Sequence, residues 1–248
     1  MTPDFLTLPD RRIAFQRQIG PKDKPGIVFL GGFASDMTGT KACFLADLCA
    51  KRNLSFLRFD YRGHGASSGD FKTGTIGAWS DDSLAAFDQL TEGPQILIGS
   101  SMGGWMAFLL ALKRPERVKA IIGVAAAPDF TEDLMWDMFS PAQRKQLKRD
   151  GVIYDESAPP EERAPITLQL IEEARHHLIL RDHIQLHCPV RLLQGMDDRD
   201  VPWTHAAKIA DAVVSADVRI ELIKDGDHRL SREPDLKLLE KMVEEVVG

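Results

Sequence analysis

Cysteine is scarce in this chain: Cys43, Cys49 and Cys188 are the only three in 248 residues. They are too few and too scattered for a disulfide framework or a zinc cluster, and the odd count suits a reducing compartment. Cys43 and Cys49 fall in a stretch that reads as a helix, where small apolar packing is the ordinary role. No run reaches eighteen consecutive apolar residues, and residues 1–20 contain no long apolar h-region, so neither a transmembrane helix nor a secretory signal is expected. Neither sign of charge dominates, with 31 Lys and Arg against 37 Asp and Glu and a formal charge of −6. Such a balance argues against nucleic acid or an anionic membrane as the main partner and says nothing about a substrate. Repeats and low-complexity tracts are also missing. What remains, 44% hydrophobic and 27% charged, fits one globular domain with a substantial core.

Hydrophobic periodicity divides the chain into alternating elements. Residues 12–17 alternate as an edge strand, and 27–30 form a short apolar run of the buried-strand kind. Residues 40–52 read as an amphipathic helix with Phe44, Leu45 and Leu48 on one side, followed by a strand at 54–59. A helix is predicted over 75–90, with Trp79, Leu84, Phe87 and Leu90 inward, and a strand over 118–124. Residues 128–187 then offer helices and loops with no strand candidate, including a loop at Ala158-Pro159-Pro160. That is too long for a connection and reads as an inserted element. The pattern resumes with strand 190–193, helix 203–214, strand 218–223 and helix 235–246. Strands alternating with helices predict one α/β domain over 1–248, its mostly parallel sheet covered on both faces and its helical insert at about 128–187.

The chemistry is carried by Gly99-Ser100-Ser101-Met102-Gly103. An apolar run, Ile96 to Ile98, precedes it, and the helix-prone Trp105 to Leu112 follows. Strand, Gly-x-Ser-x-Gly turn and helix make a nucleophile elbow, in which a sharply bent backbone projects the serine hydroxyl clear of the sheet. The helix behind it turns its positive end towards a developing anion. Ser101 is the candidate nucleophile. A pentapeptide of this kind also occurs as a plain strand-to-helix turn with a bystander serine, so its partners decide.

In open α/β sheets such partners lie beyond the carboxyl ends of the strands. After 27–30 comes Gly31-Gly32-Phe33, whose glycines allow a close backbone approach; the Phe33 and Met102 amides are the expected oxyanion donors. After 190–193 come Asp197, Asp198 and Asp200. The spacing Gly-x-x-Asp-x-x-Val-Pro picks Asp198 as the acid that orients an imidazole, with Asp197 and Asp200 expected as helix caps. After 218–223 comes His228, the candidate general base, which completes the order serine, acid, histidine. His64 is its main rival but precedes the serine, in a turn that looks architectural. His183 and His187 have i, i+4 spacing without a carboxylate partner, so no metal is expected, and this chemistry requires no cofactor.

With these motifs in place, the chain resembles the α/β-hydrolase superfamily over its whole length, through residues 60–67 (Asp-Tyr-Arg-Gly-His-Gly-Ala-Ser) and 99–105 (Gly-Ser-Ser-Met-Gly-Gly-Trp). More narrowly, it is similar to the subfamily of mitochondrial abhydrolase-domain acyl-protein thioesterases, also described as acyl-glucuronide esterases. The segments at 93–101, 173–177, 188–193 and 227–229 carry that likeness in core and insert alike. The resemblance implies hydrolysis of S-acyl cysteine or related esters, with Ser101, Asp198 and His228 as the triad. The chain departs from the pattern at Gly31 and Gln194, where many superfamily members have histidine. It also begins almost at its first strand, with no transit peptide visible, so a soluble, intracellular, cytoplasmic protein is expected.

The expected partner is thus a small acyl ester or thioester, S-acylated proteins included. The insert is expected to act as a lid. Its apolar cluster of Leu134, Met135, Trp136, Met138 and Phe139 either lines an acyl-chain pocket or packs on the core. Met135, Trp136, Met138 and Phe139 are the candidate substrate contacts. Two other readings stand beside the esterase: a different triad chemistry, such as C–C or amide hydrolysis, and a binding protein with a vestigial site.

Overall fold

The computed structural model describes residues 2–154 and 163–248; the loop expected at Ala158-Pro159-Pro160 lies outside them. In chain order the first half contains β1 (Asp4–Thr7), β2 (Arg12–Gln18), β3 (Gly26–Leu30), α1 (Thr40–Arg52), β4 (Phe56–Phe59), α2 (Ile76–Leu90), β5 (Gln95–Ser100), α3 (Met102–Lys113) and β6 (Val118–Val124). The insert contributes α4 (Pro141–Asp150), β7 (Val152–Tyr154), β8 (Pro165–Thr167) and α5 (Leu168–Ala174). β9 (Val190–Gly195), α6 (Trp203–Ala212), β10 (Val218–Ile223) and α7 (Glu233–Val247) complete the chain.

Eight strands form one sheet in the order β1-β2-β4-β3-β5-β6-β9-β10. β1 and β2 run antiparallel, as do β2 and β4, while the remaining pairs are parallel. Every residue of β3, β5 and β9 is buried, as a strand covered on both faces requires. Alternation of side chains then assigns two cores. Ile27, Phe29, Ile96 and Ile98 pack with Leu45 and Leu48 of α1 and Leu239 and Val243 of α7. Val28, Leu30 and Leu97 face the other way, onto Trp79 and Phe87 of α2, Trp105 and Phe108 of α3 and Ile209 of α6.

Three short strands depart from the expectation. The edge strand is β1, paired with β2 from Asp4↔Phe15 to Thr7↔Arg12, so residues 12–17 are second from the edge. The insert also contains strands, β7 and β8, paired antiparallel. Segments of three or four residues complete too few alternations to carry a period-2 signal, and only the partner strand reveals them. Thr131–Trp136 forms a π-helical turn in place of an α-helical one.

The insert is closed at its neck and seated on the sheet's helices. Asp129, with its side chain fully buried and φ of +59°, accepts the N–H groups of Ile179 (2.8 Å) and Leu180 (2.9 Å). Glu173 accepts the Gly77 N–H at the start of α2 (3.2 Å), and the Trp105 indole donates to the His177 carbonyl (3.1 Å). A small core of Leu147, Ile153, Ile166 and Ile171 holds the insert together. Among the described residues, no helix is long and apolar enough to cross a membrane.

Candidate active site

β5 ends at the site, and the end of that strand and the first turn of α3 have room only for glycine at Gly99 and Gly103. A Cβ on Gly99 would lie 2.2 Å from the Gly103 carbonyl oxygen, and one on Gly103 would lie 2.0 Å from the Leu30 oxygen. Backbone clashes of this kind are not relieved by turning a side chain. Gly103→Ala is therefore expected to cost about 3 kcal/mol or more and to lower Tm by about 6–12 °C in a thermal unfolding scan. A Tm within about 2 °C of wild type would show that the turn yields without cost.

Between these glycines Ser101 takes φ +54° and ψ −120° immediately before α3. A non-glycine residue here is strained, and the surroundings hold it there: its N–H donates to Val124 O and its carbonyl accepts from Gly104 and Ala127.

The ends of β9 and β10 bring the other two predicted groups to this hydroxyl. His228 Nε2 lies 3.2 Å from Ser101 Oγ, and Nδ1 lies 2.9 Å from Asp198 Oδ2. Because an ionised carboxylate only accepts, Nδ1 carries the proton and Nε2 presents its lone pair to the serine. The Asp198 side chain is fully buried, whereas that of His228 is 25% exposed. Burial pushes the Asp198 carboxyl up, but the His228 ring and the Val201 and Asp200 N–H groups together hold it below the ordinary carboxylate value.

Asp198 receives four hydrogen bonds. Its Oδ1 takes the N–H groups of Asp200 (2.9 Å) and Val201 (2.8 Å). Its Oδ2 takes His228 and, at 3.0 Å, Nε2 of the buried Gln194. Gln194 thus braces the acid where many superfamily members have histidine. The capping role expected of Asp197 and Asp200 is not observed: Pro202 holds the N-cap of α6, and no side chain caps it. Asp198, Asp200 and His228 are the one donor group among the described residues close enough to hold a metal. Four hydrogen bonds already saturate the Asp198 lone pairs, which makes this a hydrogen-bond relay in form.

Across the serine, the turn after β3 approaches closely: a Cβ on Gly32 would stand 3.4 Å from Ser101 Cβ. Phe33 follows Gly32 on this turn, and Met102 follows Ser101 at the start of α3. Met102 opens α3, where a backbone N–H has no intrahelical acceptor. The turn is tied down by the Tyr61 hydroxyl, donating to Gly31 O at 3.2 Å, and by Ser35 Oγ, accepting the Gly32 N–H at 3.1 Å.

A cavity of about 990 Å³ opens at Ser101, and its lining includes the polar Ser35, Asp36, Thr40, Lys41 and Arg229 together with Arg163, Ala164 and Pro165 of the insert. Met135, Trp136, Met138 and Phe139 are not among its lining residues. Trp136 and Phe139 pack against the insert's own core, Met135 against both that core and the main one, and Leu134 against the main one; Met138 is 70% exposed. Apolar spacing on a turn cannot distinguish an internal face from a pocket wall. Lys41, which the sequence did not single out, donates to the Arg229 carbonyl beside His228, and burial pulls its ammonium down to about 8.

Known proteins resemble this chain over most of its length. A family model described as serine aminopeptidase, S33, matches residues 21–168. The chain is 40% identical over 245 residues to palmitoyl-protein thioesterase ABHD10, mitochondrial, of Bos taurus, spanning 98% of this chain and 79% of that one. The chain belongs to the ABHD10 branch of the α/β-hydrolases. The Homo sapiens protein of the same name is 39% identical with the same coverage. A solved structure of alpha/beta hydrolase domain-containing protein 10 from mouse superposes with a TM-score of 0.92 at 37% identity, covering 100% of this chain and 98% of that one. This α/β-hydrolase thus shares core and insert with its relatives. Their names place them in mitochondria, which does not fit the cytoplasmic expectation.

Proposed function

We propose that this hydrolase cleaves carboxylic esters and thioesters through an acyl-enzyme, with S-acylated proteins or acyl glucuronides as its substrate class. The observation that carries the reading is the relay from Asp198 Oδ2 through His228 to Ser101 Oγ, facing the turn at Gly32 and Phe33. His228 takes the Ser101 proton as Oγ attacks the acyl carbon, and the Phe33 and Met102 N–H groups hold the oxyanion. The imidazolium then gives its proton to the departing thiol or alcohol. Water, deprotonated in turn by His228, attacks the acyl-serine and releases the acid. Asp198 stays ionised and orients the ring throughout.

The palmitoyl-protein thioesterase names of the relatives support an acyl substrate. The polar lining of Ser35, Asp36, Thr40 and Lys41 suits a hydrated leaving group, a peptide or a sugar, better than a second acyl chain. The insert acts as a lid through residues 163–165, which border the cavity, and not through the apolar cluster at 134–139. A series of matched p-nitrophenyl esters and acyl thioesters of increasing chain length tests the substrate class. Higher kcat/KM for long-chain thioesters is expected for a protein deacylase. Turnover of short oxygen esters alone would reassign the enzyme to the acyl-glucuronide type. No hydrolysis of either would sink the reading.

A further inference from the structure

His64 takes no part in the relay, yet it is buried to 3% exposure beside the oxyanion turn. Its Nε2 lies 3.2 Å from the backbone nitrogen of Ala34, and its Nδ1 lies 3.3 Å from the Arg62 carbonyl oxygen. These partners set the tautomer. Nδ1–H donates to the carbonyl, and the Nε2 lone pair accepts the Ala34 N–H. A protonated ring would have no acceptor to offer, and burial lowers the pKa of His64, which keeps it neutral.

Ala34 needs this support. It stands at φ +55° directly after Phe33, a conformation that a non-glycine residue keeps only when its surroundings hold it. The imidazole is itself immobilised by edge contacts with Tyr61, Phe71 and Trp79 at centroid distances of 5.5, 4.9 and 5.2 Å. The Phe33 ring rests on two of the same rings, Phe71 at 4.9 Å and Trp79 at 5.9 Å. Side chain and backbone of the Phe33–Ala34 unit are thus referenced to one aromatic floor.

We propose that His64 is a positioning residue of the oxyanion site: as a neutral acceptor for the Ala34 N–H, it fixes the turn that aims the Phe33 N–H at the developing oxyanion. The proposal rests on the serine-hydrolase reading above. It differs from the architectural role the sequence alone implied, because a packing histidine would act on stability and not on the transition state.

The test is kinetic. His64→Phe keeps a flat aromatic ring but removes the acceptor, and His64→Gln restores an acceptor oxygen on a flexible arm. Turnover of p-nitrophenyl butyrate and inhibition by an alkyl trifluoromethyl ketone, whose serine adduct carries an oxyanion, are measured for both. In His64→Phe, kcat is expected to fall by about 10- to 100-fold, less than the loss on deleting an oxyanion donor outright. KM should stay within about twofold, since ground-state binding is untouched. Ketone affinity should fall by the same factor as kcat/KM, and His64→Gln should recover most of both. Equal losses in the two variants, or lost turnover with unchanged ketone affinity, would overturn the proposal. Should His64→Phe fail to fold, His64→Gln decides: near-wild-type kcat and ketone affinity support the role, and loss of both overturns it. Serine-independent turnover in a Ser101→Ala control would instead overturn the hydrolase reading itself.

Discussion

Ser101→Ala is expected to reduce kcat/KM on p-nitrophenyl butyrate by about 10⁵-fold or more, with the fold unchanged. The size of the loss follows from what the hydroxyl does. It supplies the attacking oxygen, and among the described residues no other hydroxyl is hydrogen-bonded to His228 Nε2. The fold should survive because the strained backbone at 101 is held by main-chain hydrogen bonds to Val124, Gly104 and Ala127, which alanine also makes. Losing the Oγ–His228 bond removes one partly exposed contact, and deleting a strained functional group is often neutral for stability. Kinetics and thermal unfolding of the same preparation separate the two effects. Residual turnover above about one part in a thousand, free of wild-type contamination, would point to another nucleophile.

Asp198→Asn is expected to lower kcat by about 10⁴-fold with KM little changed. The carboxylate accepts only, so it fixes the proton on Nδ1 of His228 and leaves Nε2 free for Ser101. An amide turning its NH₂ to Nδ1 would place the imidazole proton on Nε2, aimed at the serine, where it blocks proton abstraction. The surroundings favour that orientation: the two N–H donors at Oδ1, from Asp200 and Val201, require an oxygen there. The amide nitrogen would then face both His228 Nδ1 and the Nε2 donor of Gln194. Acid should not mimic the substitution at working pH, because Asp198 titrates below the ordinary carboxylate range. Protonation begins to silence it only under stronger acid than an unperturbed aspartate needs. A pH–rate profile with an acid limb that persists in Asp198→Asn would agree with this. A mutant retaining a tenth of wild-type kcat would remove Asp198 from the mechanism.

Much of the site could be read from the sequence because its signals are local. Gly99 and Gly103 mark the elbow since the turn forbids a Cβ within a few residues of the serine. The Gly-x-x-Asp-x-x-Val-Pro spacing separates Asp198 from Asp197 and Asp200 because the Asp198 carboxylate closes its own turn on the N–H groups two and three residues ahead. Burial of β3, β5 and β9 likewise follows from short apolar runs. The four apolar residues proposed as substrate contacts were less well served, since a hydrophobic turn looks the same whether it faces a ligand or its own core.

The sequence by itself determined the order of strands and helices outside the insert and the N-terminal edge, the elbow, and the succession of serine, acid and histidine, all of which rest on patterns over a few residues. Only the tertiary structure decided that Trp136 and Phe139 turn into the insert while Leu134 packs on the main core, that Gln194 braces Asp198, and that His64 accepts the Ala34 N–H. Side-chain direction and hydrogen-bond partnership between distant segments are settled by packing: Ala34 meets His64 thirty residues on, and Ser101 meets His228 at a separation of 127. No local pattern encodes such meetings.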